Sequence, residues 1–238
     1  MTPTAETTTE QILFDADAEQ RFTYEITDGE VKYEITQVYR GLPDEQLAEY
    51  DRLREVSVDT NGANTDVMTD SMSADDYLFR ELCTDVLGFD GDKPDNWQDL
   101  IEYDEKKAGI NKLLSIKIVS DNTEKQVQPR QWGKAIASEK VELTALFDGR
   151  IVTTKAHFGA KTPADVAAYG VIKNRVSLIE RGLDESAIKI PASMKRKADL
   201  FDRINPRVEG YRGRVPLHHK AAFVTGFFES KIASTEKK

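Results

Sequence analysis

The side chains that most often carry out chemistry in proteins are few in this sequence. It has three histidines, His157, His218 and His219, and one cysteine, Cys83. Adjacent histidines on a helix point about 100° apart, so His218 and His219 make a poor ligand pair for a tetrahedral metal site. We interpret these two as surface or capping residues. Cys83 has no partner for an internal disulfide, and we expect a buried, inert thiol instead of the alternative, a nucleophile.

Patterns typical of active sites and phosphate sites are absent from the sequence. It contains no Gly-rich phosphate loop, no Gly-x-Ser-x-Gly, no Cys-x-x-Cys and no His-Glu-x-x-His. The segment DGDKPD, residues 90–95, alternates carboxylates. It lacks the full ligand series and terminal glutamate of an EF-hand loop, which leaves calcium as a minor alternative. We therefore predict a protein without catalytic residues, metal or cofactor; an enzyme with an unrecognised site is a further alternative.

Basic side chains are concentrated late in the chain, around Tyr211. Such a strip can contact phosphates or protein carboxylates. We favour a protein partner, or the acidic part of this chain, because the whole chain is acidic and no second aromatic residue is spaced for base stacking. Nucleic acid is the alternative. The predicted partner-binding residues, here called the basic strip, are Lys195, Arg196, Lys197, Arg203, Arg207, Arg212, Arg214 and Lys220.

The elements that must position these residues occur twice. LFRELCTDVLGFDG (78–91) and LFDRINPRVEGYRG (200–213) share five identities. Upstream, residues 22–50 and 141–169 both have an Asp-Gly between alternating apolar runs, then an aromatic residue, a proline and a helical pattern that reaches a tyrosine. Downstream, residues 101–118 and 215–232 also pair, with lysines and Lys-Ile at matching places. Three blocks in the same order indicate a diverged tandem duplication.

This duplication predicts an α+β protein in which each repeat is a β-hairpin plus three helices. We place a flexible N-terminal segment at 1–20, an acidic repeat 1 at 21–119, a linker at 120–138, a basic repeat 2 at 139–232 and a flexible tail at 233–238. The polar, low-complexity first residues and the Asp/Asn/Ser/Gly-rich stretch 57–72 are expected to lack regular structure. Helices are expected at 43–56, 73–87, 105–116, 163–181, 192–203 and 217–232.

The residues shared by both repeats are mostly those of a core and of turns. Phe79 and Phe201 are predicted core residues. Gly88 and Gly210 each follow a predicted helical run and precede an aromatic residue, so we expect both to have positive φ, as left-handed helix caps do. Of the two shared lysines, Lys106 and Lys220, we expect the stems to lie on apolar surface with the ammonium in water; contact with an acidic partner is the alternative.

The two halves of the chain have opposite charge. Residues 1–119 have 28 acidic and 11 basic side chains, a net charge of −17, whereas residues 120–238 have 14 and 22, a net charge of +8. Similar folds of opposite charge can attract within one molecule or head to tail between molecules. No stretch approaches 18 consecutive apolar residues and the amino terminus is rich in Thr and Glu, so we expect a soluble intracellular protein without membrane span or secretory signal.

Three strings in the second repeat resemble those of a known group of proteins. They are His-Phe-x-x-x-Thr-Pro (157–163), Val-Glu-Gly-Tyr (208–211) and Val-Pro-Leu-His-His-Lys-Ala-Ala (215–222). After the Asp-Gly hairpin, this order is similar to that of small structural or assembly proteins of tailed bacteriophages, including tail-assembly proteins. The likeness covers most of repeat 2 and is fainter in repeat 1, where VLGF and IEYDEKKA stand instead.

The resemblance implies a non-enzymatic role in virion or tail assembly. It implies other phage structural or assembly proteins as partners, action in the cytoplasm of the bacterial host during assembly, and possible retention in the virion. It supplies no catalytic residues.

Overall fold

A computed structural model describes residues 12–28, 30–54, 56–59, 66–69, 71–119, 139–173, 187–190 and 193–229. The predicted linker 120–138 and tail 233–238 lie outside these ranges, as do residues 1–11, 174–186 and 230–232. The predicted helices 163–181 and 217–232 are therefore described only to Lys173 and Glu229.

Repeat 1 follows a two-residue strand, β1 (Phe14–Asp15). It starts with an antiparallel hairpin of β2 and β3 and continues through helices and short strands. Its elements are β2 (Gln20–Asp28), β3 (Val31–Tyr39), α1 (Asp44–Leu53), β4 (Val56–Asp59), β5 (Asp66–Thr69), α2 (Ser71–Leu82), β6 (Cys83–Leu87), α3 (Trp97–Leu100), α4 (Tyr103–Leu113) and β7 (Ile116–Val119).

Repeat 2 has the same order of main elements. They are β8 (Glu139–Phe147), β9 (Arg150–Phe158), α5 (Pro163–Lys173), β10 (Ala187–Ile190), α6 (Met194–Ile204), β11 (Arg207–Glu209), β12 (Tyr211–Arg212) and α7 (Leu217–Glu229). The short α3 of repeat 1 lies in a stretch for which repeat 2 has no counterpart. The predicted α+β class is confirmed.

Both repeats return a short strand to the second strand of their hairpin. β6 pairs antiparallel with β3, with Gln37 opposite Val86, and β11 pairs antiparallel with β9, with Ala156 opposite Val208. In the sequence alignment of the repeats, Gln37 corresponds to Ala156 and Val86 to Val208. In each repeat the penultimate long helix packs on the last one, α2 on α4 and α6 on α7. The same backbone unit is thus built twice.

The sequence explains the hairpin of repeat 2 directly. Val141, Leu143 and Ala145 alternate along β8 and are buried, as a strand with one covered face requires. Asp148 and Gly149 have φ values of 47° and 71°, which suit the two-residue turn that matches strand twist. In repeat 1 the Asp28–Gly29 turn lies partly outside the described residues.

Three strand pairings join repeat 2 to repeat 1 or to the segment before it. β7, at the end of repeat 1, pairs antiparallel with β8 and extends the sheet of repeat 2 to the order β11-β9-β8-β7. β1 pairs in parallel with β12, and β10 pairs antiparallel with β4. The hydrophobic core of repeat 1 also includes Ala145, Val152, Ala198 and Leu217 from repeat 2. The two repeats therefore share a core and do not pack as separate spheres.

The structure differs from prediction in the length of several helices. α2 ends at Leu82 and α4 at Leu113, whereas helices were predicted to 87 and 116. Residues 83–87 and 116–119 are strands because they complete the hydrogen bonding of β3 and β8. Gly88 therefore follows a strand, and Gly210 lies between two strands, so neither caps a helix.

The expected irregular stretches also contain strands. β4 and β5 pair with each other within residues 57–72, which were expected to lack regular structure. Within the segment predicted to be flexible, Phe14 and Ala16 are fully buried, and the Phe14 N–H donates to the carbonyl oxygen of Gly210 at 2.8 Å. Hydrophobic burial of Phe14 fixes the chain at this point. None of the helices in the described ranges is long and apolar enough to cross a bilayer.

Candidate protein-docking surfaces

Helix α1 of repeat 1 caps two helices of repeat 2. Asp51 Oδ2 accepts hydrogen bonds from the N–H groups of Met194, at 2.7 Å, and Lys195, at 3.3 Å, at the start of α6. Asp44 Oδ1 accepts from the N–H of Leu217 at 3.0 Å, at the start of α7. A helix N-terminus has unpaired N–H donors and positive potential, so carboxylates stabilise it. Asp44 and Asp51 lie seven residues apart and therefore on one face of α1.

Arg214 adds a charged contact between the repeats. Its Nε donates to Asp17 Oδ1 at 2.9 Å, one terminal nitrogen donates to Asp44 Oδ1 at 2.8 Å, and the other donates to the carbonyl oxygen of Leu42. The three acceptors belong to repeat 1 and to the segment before it. The opposite charges of the two halves thus meet at a defined interface, within one molecule.

A strand edge forms the third part of this junction. β7 lies against the outer edge of β8, with Lys117 opposite Thr144 and Ile118 opposite Leu143. Gly226 on α7 permits this arrangement, because a Cβ at that position would lie 2.6 Å from Val141 Cγ1 and 3.3 Å from Ile118 Cγ2. Repeat 1 therefore docks on repeat 2 by adding a strand, a common mode of peptide recognition.

The corresponding surface of repeat 1 is exposed. Val152 of repeat 2 is only 3% exposed, whereas its counterpart Tyr33 is 47% exposed. Tyr211 contacts Phe14, with ring centroids 5.9 Å apart, whereas its counterpart Phe89 is 54% exposed. Val31, two residues before Tyr33 on the same face of β3, is also about half exposed. Exposed apolar residues in a group are typical of interaction sites. We call this group, Val31, Tyr33 and Phe89, the apolar patch.

The basic strip is spread over several interfaces. Lys195 pairs with Asp199 on its own helix, Arg203 with Asp165 on α5, and Arg207 with Glu209 on β11. Lys197 Nζ donates to Thr225 Oγ1 on α7 at 3.0 Å, and Arg214 faces repeat 1. Arg196 lines a shallow surface depression between α5 and α6 together with Val171 and Arg203. Arg212 lies on β12 and is exposed.

The two shared lysines have equivalent roles inside their own repeats. Lys106 on α4 binds Asp76 on α2 at 2.6 Å, and Lys220 on α7 binds Asp202 on α6 at 2.8 Å. Lys106 is buried, contrary to the expectation of an ammonium in water. Each lysine joins the last helix of its repeat to the preceding long helix. Their acidic partners are internal, and this explains why both repeats have them.

His218 and His219 are buried, which corrects their interpretation as surface or capping residues. They lie on α7, where most residues along the helix are apolar and covered. His219 Nδ1 is 2.7 Å from the Tyr211 hydroxyl. Burial lowers the pKa of His218 to about 3 and lowers that of His219 well below its usual value, with a further effect of Arg214 and of His218, respectively. Both rings are therefore neutral core groups.

Cys83 is a buried free thiol, as expected. Burial raises its pKa to about 12, so the thiolate that a nucleophile requires is not formed at neutral pH. Within the described ranges no three His, Cys, Asp or Glu side chains are grouped to hold a metal ion. In the DGDKPD segment, Lys93 instead pairs with Asp85 and lies 3.9 Å from the centre of the Trp97 ring.

The shared core residues and glycines have equivalent environments. Phe79 and Phe201 are buried, Phe79 against Tyr39 and Trp97, and Phe201 against Phe158 and Phe223. The predicted positive φ is confirmed at Gly88, with 105°, and at Gly210, with 90°. The cause is strand geometry: a Cβ would collide with the carbonyl oxygen of Glu34 in repeat 1 and of Thr153 in repeat 2.

Comparison with known proteins finds no matching family model, no matching curated protein and no matching solved structure.

Sequence reasoning missed the carboxylates and the apolar patch. The seven-residue spacing of Asp44 and Asp51 was the available signal for two caps on one helix face. Tyr33 lies in an alternating strand pattern and Phe89 follows a glycine, and neither pattern indicates exposure, because exposure depends on what the neighbouring repeat covers. Only the comparison of two three-dimensional copies reveals that difference.

Proposed function

We propose that the protein is a non-enzymatic structural or assembly component of a tailed bacteriophage and acts through protein–protein contacts in tail or virion assembly. It works in the cytoplasm of the bacterial host during assembly. The observation that carries the proposal is the junction between the repeats. One copy of the unit docks on the next through a strand edge, two carboxylate-capped helices and Arg214. A unit with these contacts is suited to bind a neighbouring subunit.

The state of the chemically versatile side chains supports a non-enzymatic role. The Cys83 thiol and the His218 and His219 rings are buried and uncharged at neutral pH. Cys83 belongs to the core of repeat 1, the His219 ring packs against Phe14, and the two histidine rings contact each other. General acid–base and nucleophilic catalysis require groups that reach a substrate and change protonation near neutral pH. These three residues serve packing instead.

The ion pairs of the basic strip favour protein over nucleic acid as the partner. Lys195, Arg203, Arg207, Arg214 and Lys220 each contact a carboxylate of this chain. Those carboxylates would repel a phosphate backbone within about a Debye length, some 8–10 Å at physiological salt. Wild-type protein is therefore expected to bind random duplex DNA only weakly. Tight, salt-sensitive binding that Arg207→Glu with Arg212→Glu abolishes would instead establish the nucleic-acid alternative.

The proposal is tested in the phage that carries the gene. Replacing the gene with an inactive copy should abolish infectious particles, and electron microscopy of lysates should show incomplete tails or virions. Supplying the wild-type protein in trans should restore them. The control is Arg40→Ala, which removes an exposed ion pair with Glu81 within repeat 1 and should complement fully. Normal titres and normal particles without the protein would overturn the proposed function.

A further inference from the structure

The junction between the repeats suggests how one molecule meets the next. We infer that the outer edge of β2 binds residues 230–234 of a second copy of this chain, as the edge of β8 binds β7 within the molecule. The contact joins the basic end of one copy to the acidic end of another. This inference deepens the proposed function by naming a partner, and it rests on that function only for its biological purpose.

The docking edge is the outer side of β2. Among the described residues, β2 pairs with β3 alone, in the order β2-β3-β6, whereas its counterpart β8 lies between β9 and β7. Lys112 Nζ donates to the Thr23 carbonyl oxygen at 2.6 Å. The backbone N–H and C=O groups of Thr23 therefore point away from β3, toward the docking edge. Because alternate residues of a strand have the same orientation, the backbone groups of Glu25 and Thr27 point toward this edge as well. The outward N–H of Arg21 on this edge already donates to Asp148 Oδ1 of repeat 2 at 3.3 Å, so the part without a partner begins after Arg21. A strand edge without a partner strand is a template for pairing.

The occupant is identified by its sequence and its place in the chain. In repeat 1, α4 is followed directly by β7, which contains Lys117 and Ile118. In repeat 2, α7 is described to Glu229, and the sequence that follows, residues 230–238, contains Lys231 and Ile232 at the corresponding places. Inside the molecule such a segment leaves its own repeat and pairs with the next one. Among the described residues, the edge that corresponds to that of β8 and pairs with no further strand is the β2 edge of repeat 1, so the partner surface is repeat 1 of another copy.

The register of β7 on β8 gives a specific charge pair. Lys117 lies opposite Thr144. Thr144 corresponds to Glu25, and Lys117 to Lys231, so the docked strand places Lys231 opposite Glu25. Opposite charges that face each other across strands stabilise pairing. Residues 230–238 contain three lysines and one glutamate, and the hairpin of repeat 1 displays Glu25, Glu30 and Glu34 at its surface. The charges of the two ends are complementary.

The apolar patch supplies the hydrophobic part of the contact. In repeat 2, Val152 and Tyr211, the counterparts of Tyr33 and Phe89, are covered by elements of repeat 1 and of the segment before it. Tyr33 and Phe89 themselves are about half exposed. A second copy that repeats the internal arrangement would cover them. Burial of these rings favours association in proportion to the apolar area removed from water.

Two features make this contact weaker than the internal junction. Lys112 stands where repeat 2 has Gly226, so its side chain must leave the Thr23 carbonyl before a strand can approach. Pro163 and Gly170 stand in α5 where α1 has Asp44 and Asp51, so the helix caps are not repeated. Lysine beside a strand edge opposes unwanted pairing. Association is therefore expected to depend on concentration, and Lys112 to limit it.

A contact of this kind joins two different surfaces. Each copy has one β2 edge and one C-terminal segment, so binding leaves a free surface at each end of the pair. Repetition then builds rings or filaments, according to whether the rotation between copies closes. A self-assembling chain of this type would suit a structural component of a particle.

The first experiment is sedimentation velocity of the full chain over a wide range of concentration. Wild type should form species that grow with concentration, and a variant that ends at Glu229 should stay monomeric with an unchanged unfolding midpoint. Lys112→Gly should strengthen association about fivefold. A wild type that remains monomeric at all concentrations, or a truncated variant that still associates, would overturn the inference.

The second experiment tests the register through charge exchange. Glu25→Lys and Lys231→Glu should each weaken association about fivefold, and the two changes together should restore it. The matched control is Lys32→Ala, which breaks the ion pair between Lys32 and Glu25 but leaves Glu25 in place, and which should associate like wild type. Failure of the double variant to recover would contradict the proposed register.

The third experiment tests that the two surfaces differ. Glu25→Pro removes an outward N–H from β2, and truncation at Glu229 removes the opposite surface. Each variant alone should be monomeric, whereas their mixture should form a heterodimer and nothing larger. Hydrogen exchange distinguishes intramolecular closure: protection of β2 in monomeric wild type, lost on truncation, would overturn a second copy as the occupant. A monomer that still binds another virion protein would refute this inference and leave the proposed function intact.

Discussion

The hairpins of the two repeats have the same backbone but fill the space beneath them differently. In repeat 1, Gln37 on β3 is buried and bonded to Tyr24 and Tyr39, and it lies against Gly109 on α4. In repeat 2 the corresponding strand residue is the small Ala156, and the corresponding helix residue is the large Phe223; both are fully buried. Repeat 1 has the large side chain on the strand and the small one on the helix, and repeat 2 has the reverse. The fold therefore requires a constant total volume at this place, and not particular residues.

The same comparison at the surface teaches that burial depends on neighbours. Tyr33 and Val152 occupy equivalent strand positions, but only Val152 is covered by the adjacent repeat. Substitutions that alter the packing beneath a hairpin, or the contacts between the repeats, test these differences between repeat 1 and repeat 2.

The largest effect is expected from filling the space next to Gln37. A Cβ at Gly109 would overlap Gln37 Oε1 and the Tyr39 hydroxyl, so Gly109→Ala should reduce the free energy of unfolding by about 3 kcal/mol. In a Gln37→Ala background, which copies repeat 2, the added methyl should cost at least about 1 kcal/mol less. Urea denaturation of the four proteins measures this coupling. Strict additivity would mean that the volumes do not compensate each other.

The next effect concerns the glycine that allows β6 to close on β3. Gly88→Ala should destabilise the protein by about 2 kcal/mol, because it combines positive φ with a collision with the Glu34 carbonyl oxygen. Gly91→Ala is the control: φ is also positive, at 88°, but nothing lies within 4 Å of the added Cβ. It should cost about 1 kcal/mol. Equal costs in thermal unfolding would show that the collision is relieved by a backbone shift.

The junction of the repeats should be more sensitive than ion pairs within a repeat. Arg214→Ala removes three hydrogen bonds to repeat 1 and its preceding segment and should cost about 1.5 kcal/mol. Arg203→Ala removes a single exposed pair with Asp165 and should cost less than about 1 kcal/mol. Denaturant titration compares the two variants. A larger loss for Arg203→Ala would contradict the importance assigned to the junction.

The buried histidines should make stability depend on pH in a defined direction. In the unfolded chain they accept protons below about pH 6.5, whereas burial lowers the folded pKa of His218 to about 3. The contribution of these neutral rings to the free energy of unfolding is therefore present above pH 6.5 and is lost as pH falls from there toward 3. At pH 5.5 the loss is about 1.4 kcal/mol per histidine.

His218→Leu should remove one histidine's share of that slope, since neither ring nitrogen of His218 has a hydrogen-bond partner among the described residues. Unfolding titrations at pH 7.5 and 5.5 measure the change. An unaltered slope would indicate that His218 is accessible to protons in the folded protein.

The repeat, the hairpins and the glycine conformations were predictable because they depend on local patterns that occur twice. Alternation in the sequence predicts strands at 139–146 and 151–158, and the bounds of β8 and β9 agree with these to within a residue. The helix predicted at 73–87 was too long because Cys83–Leu87 satisfies a helical pattern until β3 offers it a partner. His218 and His219 were misplaced because nothing in their own sequence shows that α7 is covered on nearly every side. Tertiary contacts decided these cases.

The candidate surfaces were only partly predictable. Charge counts indicated that the halves would attract, and Arg214 fulfils that role between the repeats. The same counts placed Lys220 and Arg203 among partner-binding residues, yet both contact carboxylates inside repeat 2. A run of basic residues in sequence is divided by helix and strand geometry into groups that point in different directions.

The pairing of β1 with β12 has a consequence for synthesis on the ribosome. Asp17 and Arg214, next to these strands, are separated by 197 residues. At translation rates of about 5–20 residues per second, the first strand waits on the order of 10–40 s before its partner emerges. During that time Phe14 has no permanent place in the core. The nascent protein thus forms the β1–β12 pairing, and the contact of Phe14 with Tyr211, only after most of the second repeat has been made.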